Sequence, residues 1–383
     1  MSVTTPSGFR AAGVTAGLKT SGRPDLALVV NDGPDHHAAA VFTSNRVEAA
    51  PVTWSRTVVA DGRVDVVVLN SGGANACTGA PGFQDTHRTA EHVGRVLGVA
   101  PGDVVVCSTG LIGERLPMGL LLPGVDAAGA GLAADGGPAA AEAIMTTDTV
   151  AKTAIAERDG WSVGGMAKGA GMLAPALATM LVVVTTDAVV DGPDLDAVLR
   201  AATSETFDRV DSDGCMSTND TVVLLASGAS GVEVGRDHLT AAVTEVCASL
   251  ARQLVADAEG AHHDIAVEVR SAASVDDALE VARSIARNNL FKCAVFGDDP
   301  NWGRVLAAVG TTGAAFDPAS LDVSMNGVQV CRAGGVGEDR SLVDLTAREV
   351  HVVVDLHAGA ETATVWTNDL THDYVHENSA YSS

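Results

Sequence analysis

The sequence predicts a mixed α/β protein, a layered sandwich in which sheets pack against helices. Valine-rich apolar runs of strand length recur along the 383 residues, and segments with apolar positions at helical spacing lie between them. Glycine and alanine are abundant while aromatics make up only 3%, a composition suited to closely stacked layers with few large side chains between them.

Taken in order, the runs are Leu26 to Val30, Val64 to Leu69, Asp103 to Cys107, Met180 to Val184, Val222 to Leu225 and Val350 to Val354. Their near-continuous apolar character predicts buried strands. The clearest helix follows Leu239, Ala242, Val243, Val246, Cys247, Leu250 and Leu254 over four turns. A second is expected from Asp276 through Ile285, with Asp276 and Asp277 favourably placed in its first turn. No short repeat, heptad or Pro/Ser-rich linker divides the chain.

The formal charge of -24, from 48 acidic and 24 basic residues, opposes binding to nucleic acid or anionic lipid. An acidic substrate remains compatible if a few cations line its pocket. Cys77, Cys107, Cys215, Cys247, Cys293 and Cys331 form no C-x-x-C pair and read as reduced thiols, mostly packing. The first residues, Met1 to Phe9, lack a basic region followed by an apolar one, so no secretory or transit signal is expected and the cytoplasm is the expected location. Gly169 to Thr186 is uncharged over about a membrane span, but Pro175 and its Gly/Ala-rich turns argue against one.

Common signatures fail on inspection. Lys168 lies among glycines without the Ser or Thr and the spacing of a P-loop. Neither H-E-x-x-H nor a G-x-S-x-G elbow is present. The pairs His36-His37 and His262-His263 are better read as solvated loop residues pointing apart than as ligands, and no metal is expected.

Between Lys168 and Asp187 one threonine, Thr179, stands where a loop of small residues enters a buried strand. Taken alone it reads as a strand residue. Acyl transfer by a nucleophile needs a hydroxyl, a base, an oxyanion site and substrate anchors, and candidates for all four exist. A break between Ala178 and Thr179 would give Thr179 an α-amine of reference pKa about 7.7 to 8.0, able to take the hydroxyl proton. Ser108 to Gly113 follows a strand, and a positive φ at Gly110 would aim successive backbone N–H groups at one point, although an ordinary turn reads the same way.

These residues resemble the ornithine acetyltransferases, or bifunctional glutamate N-acetyltransferases, of arginine biosynthesis. The matches run nearly end to end: Val41 to Asn45, Asn70 to Thr78, Ser108 to Gly113, Met145 to Thr149, Lys168 to Met180, Ser217 to Asp220, Asp298 to Arg304 and Glu377 to Tyr381. The resemblance implies a self-processing N-terminal-threonine acyltransferase fold, cut between Ala178 and Thr179. An α chain of residues 1–178 and a β chain of residues 179–383 would assemble as an α2β2 heterotetramer. It implies an oxyanion hole at Thr109 and Gly110, and substrate contacts at Thr146, Lys168, Thr179, Glu259, Asn378 and Ser383. Thr147 is the neighbouring alternative to Thr146, and Asp298 to Arg304 is expected to cap a helix near Trp302. Two departures are visible: His262-His263 stands where most relatives carry a polar-basic pair, and the last residue is Ser383 where many carry threonine.

The implied reaction moves the acetyl group of N2-acetyl-L-ornithine through an acetyl-Thr179 ester to L-glutamate, with no cofactor, and leaves acetyl-CoA open as a second donor. Lys168 would meet a substrate carboxylate and Glu259 the ornithine ammonium. Two rivals stand beside it: an N-terminal-threonine aminopeptidase or amidase that hydrolyses the acyl intermediate, and an uncut binding protein in which Thr179 is a strand residue.

Overall fold

β-Branched side chains stiffen the extended backbone and pack well on a pleated surface, which turns the valine-rich runs into strands. A computed structural model describes residues 2–174 and 180–380. It divides into two units, Met1–Asp208 with Cys215–Asp257, and Arg209–Gly214 with Ala258–Ser382.

The strands of the first unit are β1 (Phe9–Val14), β2 (Leu26–Asn31), β3 (His37–Phe42), β4 (Val66–Asn70), β5 (Val104–Ser108), β6 (Lys152–Arg158), β7 (Trp161–Lys168), β8 (Leu181–Thr186) and β9 (Thr221–Ala226). Its helices are α1 (Ala50–Val58), α2 (Gly79–Leu97), α3 (Met118–Ala130), α4 (Gly137–Ala143), α5 (Gly192–Glu205) and α6 (Arg236–Ala256). They build two sheets, ordered β1-β2-β4-β5 and β3-β9-β8-β7-β6. Strands β2, β4, β5, β8 and β9 are buried along their whole length, so both faces of each sheet are covered.

The inner faces share one core, Val29, Leu69 and Cys107 from the first sheet meeting Met166, Val183 and Val223 from the second. Behind the first sheet, Leu28, Val68 and Val106 pack on Val93 of α2 and on Leu121 and Val125 of α3. Behind the second lie α5 and α6. A Cβ on Gly165 of β7 would come within 3.0 Å of Val246 and Leu250, so the glycine lets α6 approach closely. Helix α6 is long and apolar enough to cross a membrane. Its seven expected apolar positions are instead buried in this layer.

The second unit contains β10 (Asp264–Ala272), α7 (Val275–Ala286), α8 (Asn289–Phe296), α9 (Trp302–Val309), β11 (Asp322–Met325), β12 (Val328–Arg332), β13 (Gly335–Val336), β14 (Glu349–Asp355), β15 (Glu361–Asn368) and α10 (His372–Ala380). One sheet, ordered β13-β12-β11-β14-β10-β15, receives α7, α8 and α9 on a single face. Alternation follows: β14 buries Val350, Val352 and Val354 while Glu349 and His351 face out.

All six expected strands and both helices form, with no end moved by more than three residues. Ser274 caps α7 by accepting from the Asp277 N–H at 3.1 Å. Helix α9 begins at Trp302 as expected, but the Asn301 side chain bonds Asp299 at 2.9 Å instead of capping it. The unit boundaries do not coincide with 178/179, which lies inside the first unit's stretch of sequence. Three of the six free cysteines, Cys77, Cys215 and Cys293, are exposed, so packing accounts for only Cys107, Cys247 and Cys331.

Candidate active site

The loop leaving β5 is fixed by the two strands beneath it. β4 and β5 run parallel with Asn70 opposite Ser108, and the Thr109 N–H donates to the Asn70 carbonyl at 3.0 Å. The Gly73 N–H in turn donates to the Thr109 carbonyl at 2.9 Å. Asn70 Oδ1 accepts from Ser108 Oγ at 2.6 Å, and Asn219 Nδ2 donates to the Ser108 carbonyl at 2.8 Å and the Ala74 carbonyl at 2.6 Å. Thr43 Oγ1 ties down the Ser217 carbonyl at 2.7 Å. Several of the recurring sequence matches therefore serve to immobilise this one turn.

Gly110 has a φ of 130°, and a Cβ there would lie 2.7 Å from the Gly73 nitrogen, so only glycine fits. The expectation of successive amides is corrected in one respect: the Thr109 N–H is already committed to Asn70. What Thr109 offers is its hydroxyl, whose oxygen accepts from Lys168 Nζ at 2.9 Å. With that lone pair engaged, the hydroxyl proton is directed to a different acceptor. A charge-assisted bond of this kind makes the hydroxyl a stronger donor.

Lys168, the last residue of β7, is 1% exposed. The chain has only four lysines, Lys19, Lys152, Lys168 and Lys292, and the last three are buried. Burying an ammonium is tolerable only with partners, and for Lys152 one of them is Asp148. Its Oδ1 accepts from Lys152 Nζ at 2.6 Å and from the Gly169 N–H at 2.7 Å, and its Oδ2 accepts from the Thr146 N–H at 2.9 Å. Burial alone would raise the Asp148 pKa; Lys168, Lys152 and the Gly169 amide outweigh it and hold the carboxyl below its ordinary value. Lys152 Nζ also bonds Asp257 Oδ2 at 2.5 Å, and Asp257 accepts from the Thr149 hydroxyl and, at 3.0 Å, from its amide.

Asp220 grips the start of β8 by accepting from the Met180 N–H at 3.1 Å, while the Thr221 N–H holds the Met180 carbonyl at 3.1 Å. Burial pushes this carboxyl well above its usual range, only partly offset by the Met180 amide and Lys168. Its Oδ2 has no partner among the described residues. Sequence reasoning missed Asp148 and Asp220 as site residues, although both stood inside matched segments. Ala178, Thr179 and Ser383 lie outside the described residues.

In the second unit, Glu259 is buried and lines a cavity of about 150 Å³ with Asp213, Lys292, Asn368, Asp369 and Tyr374. Asn378 is exposed on α10, and its Nδ2 donates to the Tyr374 carbonyl at 3.0 Å, one turn back. Its neighbour Glu377 is half-buried, its pKa raised by burial and by the like charges of Glu259 and Asp373. His262 and His263 point apart as expected, His262 Nε2 meeting Asp373 at 2.7 Å and His263 Nδ1 meeting Asp369 at 2.8 Å, but His263 is buried with that bond rather than solvated, and His37 opens β3 instead of lying in a loop. Among the described residues, no group of three His, Cys, Asp or Glu side chains is placed to hold a metal ion.

A buried lysine on a threonine hydroxyl beside an obligatory glycine can direct a hydroxyl proton at a developing negative charge, and comparison with known proteins gives the chain a family. The ArgJ family matches residues 10–383. The chain belongs to the ArgJ family. Arginine biosynthesis bifunctional protein ArgJ of Streptomyces coelicolor is 67% identical over 383 residues, covering 100% of both chains. The ArgJ protein of Thermobifida fusca is 65% identical over the same length, again with 100% of each covered. A solved ornithine acetyltransferase from Mycobacterium tuberculosis, complexed with ornithine, is 55% identical with a TM-score of 0.45, covering 47% of this chain and 96% of that one. As an ArgJ protein, the chain is an acyltransferase of arginine biosynthesis, an ornithine acetyltransferase.

Proposed function

We propose that the chain transfers acetyl from N2-acetyl-L-ornithine to L-glutamate by a ping-pong route through an ester on Thr179, after a cut between Ala178 and Thr179. The observation that carries this reading is the bond from buried Lys168 to the Thr109 hydroxyl. It supports a hole made of the Thr109 hydroxyl and the Gly110 N–H, both neutral donors of the kind a tetrahedral intermediate needs. In the cut, the Thr179 hydroxyl attacks the Ala178 carbonyl carbon and the peptide nitrogen leaves as the α-amine. Water then hydrolyses the resulting ester, freeing the Ala178 carboxylate.

In turnover the α-amine takes the hydroxyl proton as Thr179 attacks the acetyl carbonyl, and the hole receives the oxyanion. Collapse expels ornithine, whose amine collects the proton. The glutamate amine then attacks the ester, releases the threonine oxygen and leaves as N-acetyl-L-glutamate. Thr146, Lys168, Glu259, Asn378 and Ser383 are the proposed substrate contacts beside Thr179. No cofactor enters the cycle, and acetyl-CoA is proposed as an additional donor. The proposed working form is an α2β2 assembly of chains 1–178 and 179–383 in the cytoplasm.

The test combines a gel with an assay. Denaturing electrophoresis is expected to give two bands, and an amine-reactive reagent should mark a peptide beginning at Thr179, since three of the four lysines are buried. Acetylornithine with glutamate should yield N-acetyl-L-glutamate, and acetylornithine alone should yield little free acetate. Rapid acetate release independent of glutamate would favour an amidase, and a single band with undiminished turnover would defeat the threonine mechanism.

A further inference from the structure

The peptide between Met145 and Thr146 is gripped at both ends by charged side chains. Lys19 Nζ donates to the Met145 carbonyl at 2.6 Å, and Asp148 Oδ2 accepts from the Thr146 N–H at 2.9 Å. A peptide is planar, so a cation on its oxygen and an anion on its N–H fix the direction in which it faces, and with it the backbone entering Thr146. Lys19 also donates to the Pro24 carbonyl at 2.8 Å, within its own loop. We propose that Lys19 is a positioning residue of the acetyl transfer, which sets Thr146 against the oxyanion turn. The inference rests on the reading of Thr146 as a substrate contact and of Thr109 and Gly110 as the hole.

What suits Lys19 to this role is the loop that carries it. Asp25, fully buried, accepts from the Ala16 N–H at 2.6 Å through Oδ1, and from the Leu18 and Lys19 N–H groups at 2.6 Å and 3.0 Å through Oδ2. The Asp25 carbonyl accepts from the Ser71 N–H at 3.0 Å, and a Cβ on Gly72 would lie 2.2 Å from that of Leu18. Gly73, next in the chain, donates to the Thr109 carbonyl. One loop therefore touches the residues that support the hole and, through Lys19, the peptide ahead of Thr146. Ser71 makes a second tie to the same segment, its Oγ donating to the Ala143 carbonyl at 2.6 Å. Burial pulls the Lys19 pKa below its ordinary value, Asp25 only partly opposing it, so the ammonium is held here at a cost that its carbonyl bonds must offset. Thr146 is half-buried, and its hydroxyl reaches Asp148 Oδ2 only at 3.4 Å, which leaves it able to turn to a ligand.

A double-mutant cycle tests this, because a residue that acts through Thr146 has little left to lose once Thr146 is disabled. Thr146→Val removes the hydroxyl and keeps the shape. It and Lys19→Met are each expected to lower kcat/KM for acetylornithine by about tenfold, and Lys19→Met in the Thr146→Val background by no more than about twofold further. Lys19→Cys alkylated with 2-bromoethylamine restores an ammonium at nearly the original reach and should recover most of the loss. Wild type treated alike controls for the exposed Cys77, Cys215 and Cys293. Should Lys19→Met fail to fold, Lys19→Arg keeps charge and donors but displaces them, and carries the same cycle with smaller losses. Equal losses in both backgrounds, or a lowered melting temperature with kcat/KM unchanged, would reduce Lys19 to a packing residue. A Thr146→Val enzyme with wild-type kcat/KM would overturn Thr146 as a substrate contact, and the inference with it. Wild-type protein that transfers no acetyl group would overturn the proposed reaction itself.

Discussion

The Asp211 carboxylate gives up its hydration in the second unit, and Arg287 replaces only part of it. Arg287 Nε donates to Oδ2 at 2.7 Å, while Oδ1 finds no partner among the described residues. Burial, incompletely countered by Arg287 and Lys292, raises the Asp211 pKa to about 6 from 3.8. A folded carboxyl that keeps its proton longer than the unfolded one makes stability greatest below the unfolded value and erodes it as pH rises toward the folded one. Asp211 alone should thus cost about 3 kcal/mol between about pH 4 and pH 6. Asp148 works in the opposite sense: its lowered pKa adds stability above the unfolded value that is lost as acid protonates it. Asp211→Asn keeps an acceptor for Arg287 and cannot titrate. Melting wild type and variant across that window should show the variant gaining relative stability as pH rises, whereas a difference that stays constant would refute the assigned shift.

A loop element is tested by its glycines. Gly110 and Gly113 both have positive φ, 130° and 89°, but a Cβ at Gly110 meets the Gly73 nitrogen at 2.7 Å and one at Gly113 meets nothing within 4 Å. Gly113→Ala should cost about 1 kcal/mol of backbone strain and leave kcat nearly intact. Gly110→Ala adds a backbone collision that must displace the turn, and kcat should fall by about a hundredfold or more. Equal activities in steady-state assays would show that the turn does not supply the hole. The same contrast explains what the sequence reveals. β2, β8 and β9 were legible because strands covered on both faces need apolar side chains throughout. β7 escaped because Gly165 gives up a side chain for the approach of α6 and Gly164 for that of the chain at Ser2 and Pro6, and β13 because two residues carry no period. Gly110 was readable as a turn glycine. The Lys168 to Thr109 bond spans 59 residues and the Asp148 to Gly169 bond spans 21, so no local pattern announces either.

On the scale of the molecule, the proposed cut meets a fold that does not come apart there. β7 precedes residues 178/179 and β8 follows them, yet the two are antiparallel neighbours in register from Val163 opposite Thr186 to Lys168 opposite Leu181. On the far side of the same sheet β3, also from before the cut, pairs with β9 from after it along six residues. The shared core likewise mixes the two, Val29 and Leu69 from one side with Val183 and Val223 from the other. Breaking one peptide bond removes none of these ladders and exposes none of these valines. Separating the pieces would open two ladders, baring four strand edges, and hydrate a core whose side chains are worth about 1.5 to 3 kcal/mol each when buried. The cut protein should therefore give two bands under denaturing conditions and a single undivided species on native size exclusion, with one cooperative unfolding step for the first unit. A fragment of residues 1–178 eluting alone from native protein would contradict the shared sheet.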